Sequence, residues 1–132
     1  MIKQTLEYED FNGDMRTETH WFGFTQVELI EWEASVDGGM AGMMQAIVKS
    51  ENLKEIIAIF REFVLKAYGV KSPDGRHHVK SDELRSEFAS SAYYAELYMK
   101  LAMDVPYATA FINGVVPAKL AKGLALNKPE GN

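Results

Sequence analysis

Leu53, Ile56, Ile57, Phe60, Phe63, Val64 and Ala67 recur at i, i+3, i+4 and i+7, the spacing that gathers apolar side chains into one stripe on a helix of 3.6 residues per turn. No other stretch of the chain constrains its fold as strongly. Asn52 is placed to cap the N-terminus, with Glu55 three residues on to complete a capping box. Gly69 follows Tyr68, where a left-handed C-terminal residue is usually needed. Start, face and stop agree on a helix over 52–68. At about 1.5 Å per residue it is roughly 25 Å long, enough to cross a small domain, and the other elements are expected to pack on it.

With 132 residues, 47% of them apolar, the chain suits one domain with a continuous core. Its formal charge of -5 argues against nucleic-acid binding, which needs a basic stripe to neutralise phosphates. There is no cysteine, so disulfides, thiolate metal sites and thiol nucleophiles are excluded. The N-terminal residues carry no apolar signal region, and no run approaches the roughly 18 apolar residues that span a bilayer. A soluble cytoplasmic protein is expected.

Residues 2 to 9 alternate, with Ile2, Leu6 and Tyr8 on one face and Lys3, Glu7 and Glu9 on the other, as in a half-buried strand. Asn12-Gly13 signals a two-residue type I′ hairpin turn into a second strand ending near Phe24. That register sets Glu9 opposite Arg16 and puts Trp21 on the face of Leu6 and Tyr8. Thr25 and Glu28 form a capping box, and Phe24 with Leu29 a hydrophobic staple, so a helix starts there. Its apolar residues form two opposed groups, Val27, Ile30 and Ala34 against Leu29, Trp32 and Val36. Such a helix is either sandwiched between hairpin and bundle or keeps one side for a partner.

After Asp37-Gly38-Gly39 a short helix carries Met40, Met43, Met44, Ile47 and Val48 on one stripe, which reads either as core or as an adaptable apolar surface. Beyond the long helix, Ser72-Pro73-Asp74-Gly75 reads as a tight turn in a charged loop, and Ser81 caps a short helix with Asp82 and Glu83 in its first turn. From Ser90 to Asp104, Tyr94, Leu97, Tyr98 and Leu101 share one helical face, with Met99 and Met103 nearly opposite. That pair is the better candidate for an exposed methionine surface. A last helix restarts at Asp104 and Pro106, carries Tyr107, Phe111 and Val115, and is expected to end at Asn113-Gly114. Residues 117–132 read as a flexible C-terminal tail.

The residues offer little catalytic chemistry. His77 and His78 are adjacent, so they point apart on either a strand or a helix, whereas paired imidazole ligands sit two or four residues apart. They read as part of a solvated loop, His20 as a strand residue, and the Glu7, Glu9 and Asp10 cluster as a solvated face. No glycine-rich phosphate loop or nucleophile elbow is present. No catalytic residue, metal or cofactor is assigned, and an interaction protein is the expected class.

Several stretches in order carry a resemblance: Phe11-Asn12-Gly13, Phe22 to Leu29, Asp37-Gly38-Gly39, Ile59-Phe60, Tyr68-Gly69 with Lys71 to Arg76, and Lys80-Ser81, followed by Phe88, Ala92-Tyr93, Leu97, Leu101 and Phe111 to Gly114. Over roughly residues 5 to 117 the chain resembles the tail assembly chaperones of long-tailed bacteriophages, in the short form that precedes a frameshift extension. His78 departs from the pattern, standing where the family would place an aromatic ring. The resemblance implies a non-enzymatic protein of the host bacterial cytoplasm, absent from the mature virion, that coats the tape measure protein and keeps it soluble. It also implies a longer frameshifted form that recruits tail tube protein. Self-association fits that role, because coating a long client favours contacts between neighbouring copies. Neither nucleic acid nor membrane is an expected partner.

The expected architecture is an α+β domain over 1–116, with an N-terminal β-hairpin (1–24) packed on a helical part (25–116) of about five helices. Met99 and Met103, with Met40, Met43 and Met44, are the candidate client-binding residues, since methionine faces repack around varied apolar helices. The nearest rival is a structural tail component, such as a tail-completion or connector subunit.

Overall fold

A computed structural model describes residues 1–35 and 53–115. The expected short helix with Met40, Met43 and Met44, the Asn52 cap and the stretch 117–132 lie outside the described residues. The elements run β1 (Ile2–Glu9), β2 (Met15–Phe22), α1 (Gln26–Ser35), α2 (Leu53–Ala67), β3 (Tyr68–Lys71), β4 (His78–Val79), α3 (Asp82–Ala89), α4 (Ala92–Met103) and α5 (Val105–Val115). The strands form one antiparallel sheet in the order β1-β2-β3-β4. The α+β class with an N-terminal hairpin stands, but the sheet has two strands more than expected.

The first hairpin differs from expectation by one residue, with large effect. Gly13 donates to the Asp10 carbonyl at 2.9 Å, and Asp10 N–H to the Asp14 carbonyl at 2.8 Å. Among the described residues positive φ is confined to glycines, with Gly13 at +88°. This is a type I turn followed by a left-handed glycine, a three-residue loop rather than the two-residue type I′ turn. The Asp10 carboxylate organises it, accepting from Asn12 and Asp14 N–H groups at 2.9 and 3.0 Å and from Arg16 Nε. The extra loop residue moves the register so that Tyr8, not Glu9, faces Arg16, and Ile2 faces Phe22. A shift of one exchanges the faces of a strand. Phe22, fully buried, therefore joins Leu6 and Tyr8 in the core, while Trp21 turns to the other face beneath Lys71 Nζ, 4.9 Å from its ring.

The turn into α1 forms as the residues require. Glu28 N–H donates to Thr25 Oγ1 at 3.0 Å, and Thr25 N–H to Glu28 Oε1 at 2.8 Å, completing the capping box. Of the two apolar groups on α1, Leu29 and Trp32 are buried, whereas Val27 and Ile30 stay 63% and 64% exposed.

α2 buries Phe63, Val64 and Ala67 and runs without a break into β3. The expected left-handed cap at Gly69 is absent. Gly69 is instead a strand residue opposite Trp21, and a Cβ there would come within 2.7 Å of His78 Nε2. The charged loop that follows is a second hairpin. Ser72 Oγ accepts from the N–H groups of Arg76 and His77 at 3.1 and 3.0 Å, and Gly75 N–H closes the turn on the Ser72 carbonyl.

Helices α3, α4 and α5 lie across the sheet face that carries Leu6, Tyr8 and Phe22. Ser81, Ser91 and Asp104 cap them, accepting at their side chains from Leu84, Tyr94 and Tyr107 N–H groups at 3.0–3.1 Å. Phe88 stacks on Tyr68 with ring centroids 3.9 Å apart, Phe22 meets Phe88 and Phe111, and Tyr8 meets Tyr93 edge-on. α5 runs through Asn113-Gly114 to the buried Val115, one residue past the expected end and the last described residue, and Ile2 of β1 packs where a Gly114 side chain would stand. Backbone bonds then gather the ends of three elements at one point: Gly23 N–H donates to the Ala67 carbonyl and Phe24 N–H to the Val115 carbonyl.

Candidate functional site

α4 is two-sided. Tyr93, Tyr94, Leu97 and Leu101 are buried, and the tyrosines find partners, Tyr93 donating its hydroxyl to the Gln4 carbonyl at 2.7 Å. Burial holds the Tyr93 and Tyr94 phenols above their ordinary pKa. On the opposite side Met99 is 54% and Met103 76% exposed, an i, i+4 pair separated by a full turn. Ala95 and Ala102 are also exposed on this side. Their small side chains leave the methionines standing clear. Past the Asp104 cap, Val105 at the head of α5 is 74% exposed. Such a ridge of unbranched, polarizable side chains can seat against the apolar stripe of another helix.

The structure thus leaves Met99 and Met103 on one open side of α4 with Ala95 and Ala102, beside the exposed Glu96 and Lys100. The periodicity that exposes the methionines would also have exposed the alanines. Val105 follows a break in the pattern, so no single helical repeat reaches it. Met40, Met43 and Met44 lie outside the described residues.

The polar groups serve the scaffold. Lys80 Nζ donates to the carbonyls of Gly23 and Lys66, both at 2.8 Å, pairs with Glu28 Oε2 at 3.0 Å, and lies over the Phe24 ring. Its side chain is only 8% exposed. Burial lowers its pKa, and the Glu28 carboxylate opposes that shift. The Lys66 carbonyl belongs to the last turn of α2, where unpaired carbonyls concentrate partial negative charge, so the ammonium is well placed.

His20 is a strand residue as expected, walled by Tyr93, Phe88 and Tyr68, with its ring centroid 4.4 Å from that of Tyr93. His77 is exposed on the second hairpin, whereas His78 is half-buried with Nε2 3.0 Å from the Trp21 carbonyl. The two imidazoles part, and His78 is a packing residue rather than part of a solvated loop. Burial lowers its pKa, against the pull of the Trp21 carbonyl. Among the described residues no three His, Cys, Asp or Glu side chains are grouped to hold a metal ion. Nor is any helix among them long and apolar enough to cross a membrane. An open cleft of about 330 Å³ between Phe24, Trp32, Glu28, Glu31, Lys66 and Arg85 carries both charge signs.

The fold is an α+β scaffold with an exposed methionine pair on one helix. The family model described as phage tail assembly chaperone matches residues 1–130, and the chain belongs to that family. No curated protein and no solved structure matches it.

Proposed function

We propose that the chain binds the tape measure protein and keeps it soluble during tail morphogenesis, acting by binding rather than catalysis. Met99 and Met103, with Val105, seat against apolar stripes of the helical client, and Met40, Met43 and Met44 contribute. The observation that carries this reading is the exposed methionine pair on a helix whose other face is buried in the core. Membership of the chaperone family supports it. A longer frameshifted form recruits tail tube protein, and both forms act in the host cytoplasm and are left out of the mature virion.

The test is affinity capture of the tagged chain from phage-producing cells, with mass spectrometry of the captured proteins and of purified particles. Recovery of a very large helical protein, with the bait absent from particles, is the expected result. Presence of the bait in particles without that client identifies a structural tail component and overturns the proposal. Met99→Gln with Met103→Gln should leave the fold intact and weaken capture. Unchanged capture, or unfolding of the double variant, removes these two residues from the site.

A further inference from the structure

β1 is the outer strand of the sheet, and among the described residues no strand pairs with its outer side. The hairpin decides which backbone groups that side offers. Asp10 N–H bonds the Asp14 carbonyl, so Asp10 and Asp14 form a hydrogen-bonded pair. Such pairs alternate along an antiparallel ladder, which assigns the even residues of β1 to β2. The N–H and C=O groups of Lys3, Thr5, Glu7 and Glu9 therefore point outward. The 2.8 Å contact between the Thr5 and Thr19 hydroxyls agrees, since side chains approach most closely at pairs that exchange no backbone bonds.

Natural edge strands are commonly shortened, bulged, broken by proline or lined with charge, because a bare edge recruits another strand. The eight residues of β1 pair in unbroken register and include no proline, so charge is the device left to control its edge. The Lys3 carbonyl accepts a bond from the neighbouring Gln4 side chain, at an exposed 3.2 Å that an incoming strand can replace.

The charges along the edge select the partner. Lys3 lies toward the start of β1 and Glu7 and Glu9 toward its end, all exposed. Parallel pairing of two such strands would set glutamate beside glutamate. Antiparallel pairing about a two-fold axis at Thr5 sets each Lys3 opposite the second copy's Glu7, and each Ile2 opposite the second copy's Tyr8. These are the opposite-charge and aromatic–β-branched pairs that stabilise sheets. Moving the axis to Leu6 would put Ile2 against Asp10, whose carboxylate is already engaged by Arg16. Moving it to Glu7 would oppose two glutamates. We propose that the outer edge of β1 docks a second copy of this chain, joining two four-stranded sheets across a two-fold axis at Thr5.

Sedimentation equilibrium of the full chain tests this through a charge swap. The wild-type mass should rise with concentration from 14.8 kDa toward twice that value. Lys3→Glu should weaken association about tenfold or more by turning two attractive pairs repulsive. Lys3→Glu combined with Glu7→Lys should restore it, because each copy again meets the opposite sign. The chain lacks cysteine, so Thr5→Cys places one thiol at the axis. Under mild oxidation it should form covalent dimers much faster than Thr17→Cys on β2. A wild-type chain that stays monomeric, a swap that fails to restore association, or equal cross-linking of the two cysteine variants overturns the proposal. So does protection of the β1 amides from exchange only on adding a captured client, which assigns the edge to the client. The pairing is independent of the methionine ridge, since a monomer that still captures its client sinks the edge alone.

Discussion

At Lys80 a charge sits inside a small domain because every one of its donors is used. Its carbonyl partners lie 14 and 57 residues away in the chain and Glu28 is as remote, so no local spacing marks it as interior. Lys80→Met should cost about 2 kcal/mol, the upper part of a buried-pair loss being reduced because Glu28 keeps access to water. Urea denaturation measures it. His78 makes a complementary test. Its folded-state pKa lies below the ordinary 6.5, so as pH falls through that value the unfolded chain takes the proton first and stability is lost. His78→Phe should flatten this acid-side slope, followed by urea midpoints below pH 6.5, while changing stability near neutrality by only about 1 kcal/mol. The departure at His78 was legible as a residue out of pattern. Its place beneath Gly69 was not, because the contact exists only once the second hairpin folds back.

Elements whose signals are local were legible, and those that depend on counting across a loop were not. Thr25 and Glu28, or Ser81 with its acidic followers, name their helix starts because the bonds close within a few residues. The register of β1 on β2 instead hangs on whether the loop holds two residues or three, and Asn12-Gly13 suits either. Deleting Met15, with the three-residue loop kept, moves the rest of β2 by one place and exchanges its faces, so Phe22 would face outward opposite Lys3 and leave the core. The expected outcome is loss of the cooperative urea transition. β3 and β4 escaped notice because they are only four and two residues long and the first continues a helix directly. In α5 the sequence pair Asn113-Gly114 looks like a stop signal, but the glycine serves contact with Ile2. Gly114→Ala should destabilise by about 1–3 kcal/mol through overpacking, read from the same denaturation curves. The methionine ridge was legible from helical period alone, since Met99 and Met103 oppose the buried stripe. Val105 was not, because it belongs to the next helix.

Across the whole molecule, tyrosines from both the sheet side and the helix side meet in one core. Tyr68, Tyr93, Tyr94 and Tyr107 all have pKa values raised above the ordinary 10.0, chiefly by burial. Their neutral forms favour the fold fully below pH 10. As pH rises beyond it the unfolded chain ionises first and stability falls. Phenolate absorbance and far-ultraviolet circular dichroism should therefore change together on alkaline titration. The junction at Gly23 and Phe24, tied to Ala67 and Val115, has a further consequence for synthesis. A hairpin made first must wait for α5 before its apolar face is covered and its backbone ties are closed. On the ribosome the N-terminal strands emerge long before α5, which leaves Leu6, Tyr8 and Phe22 open to other chains until it follows.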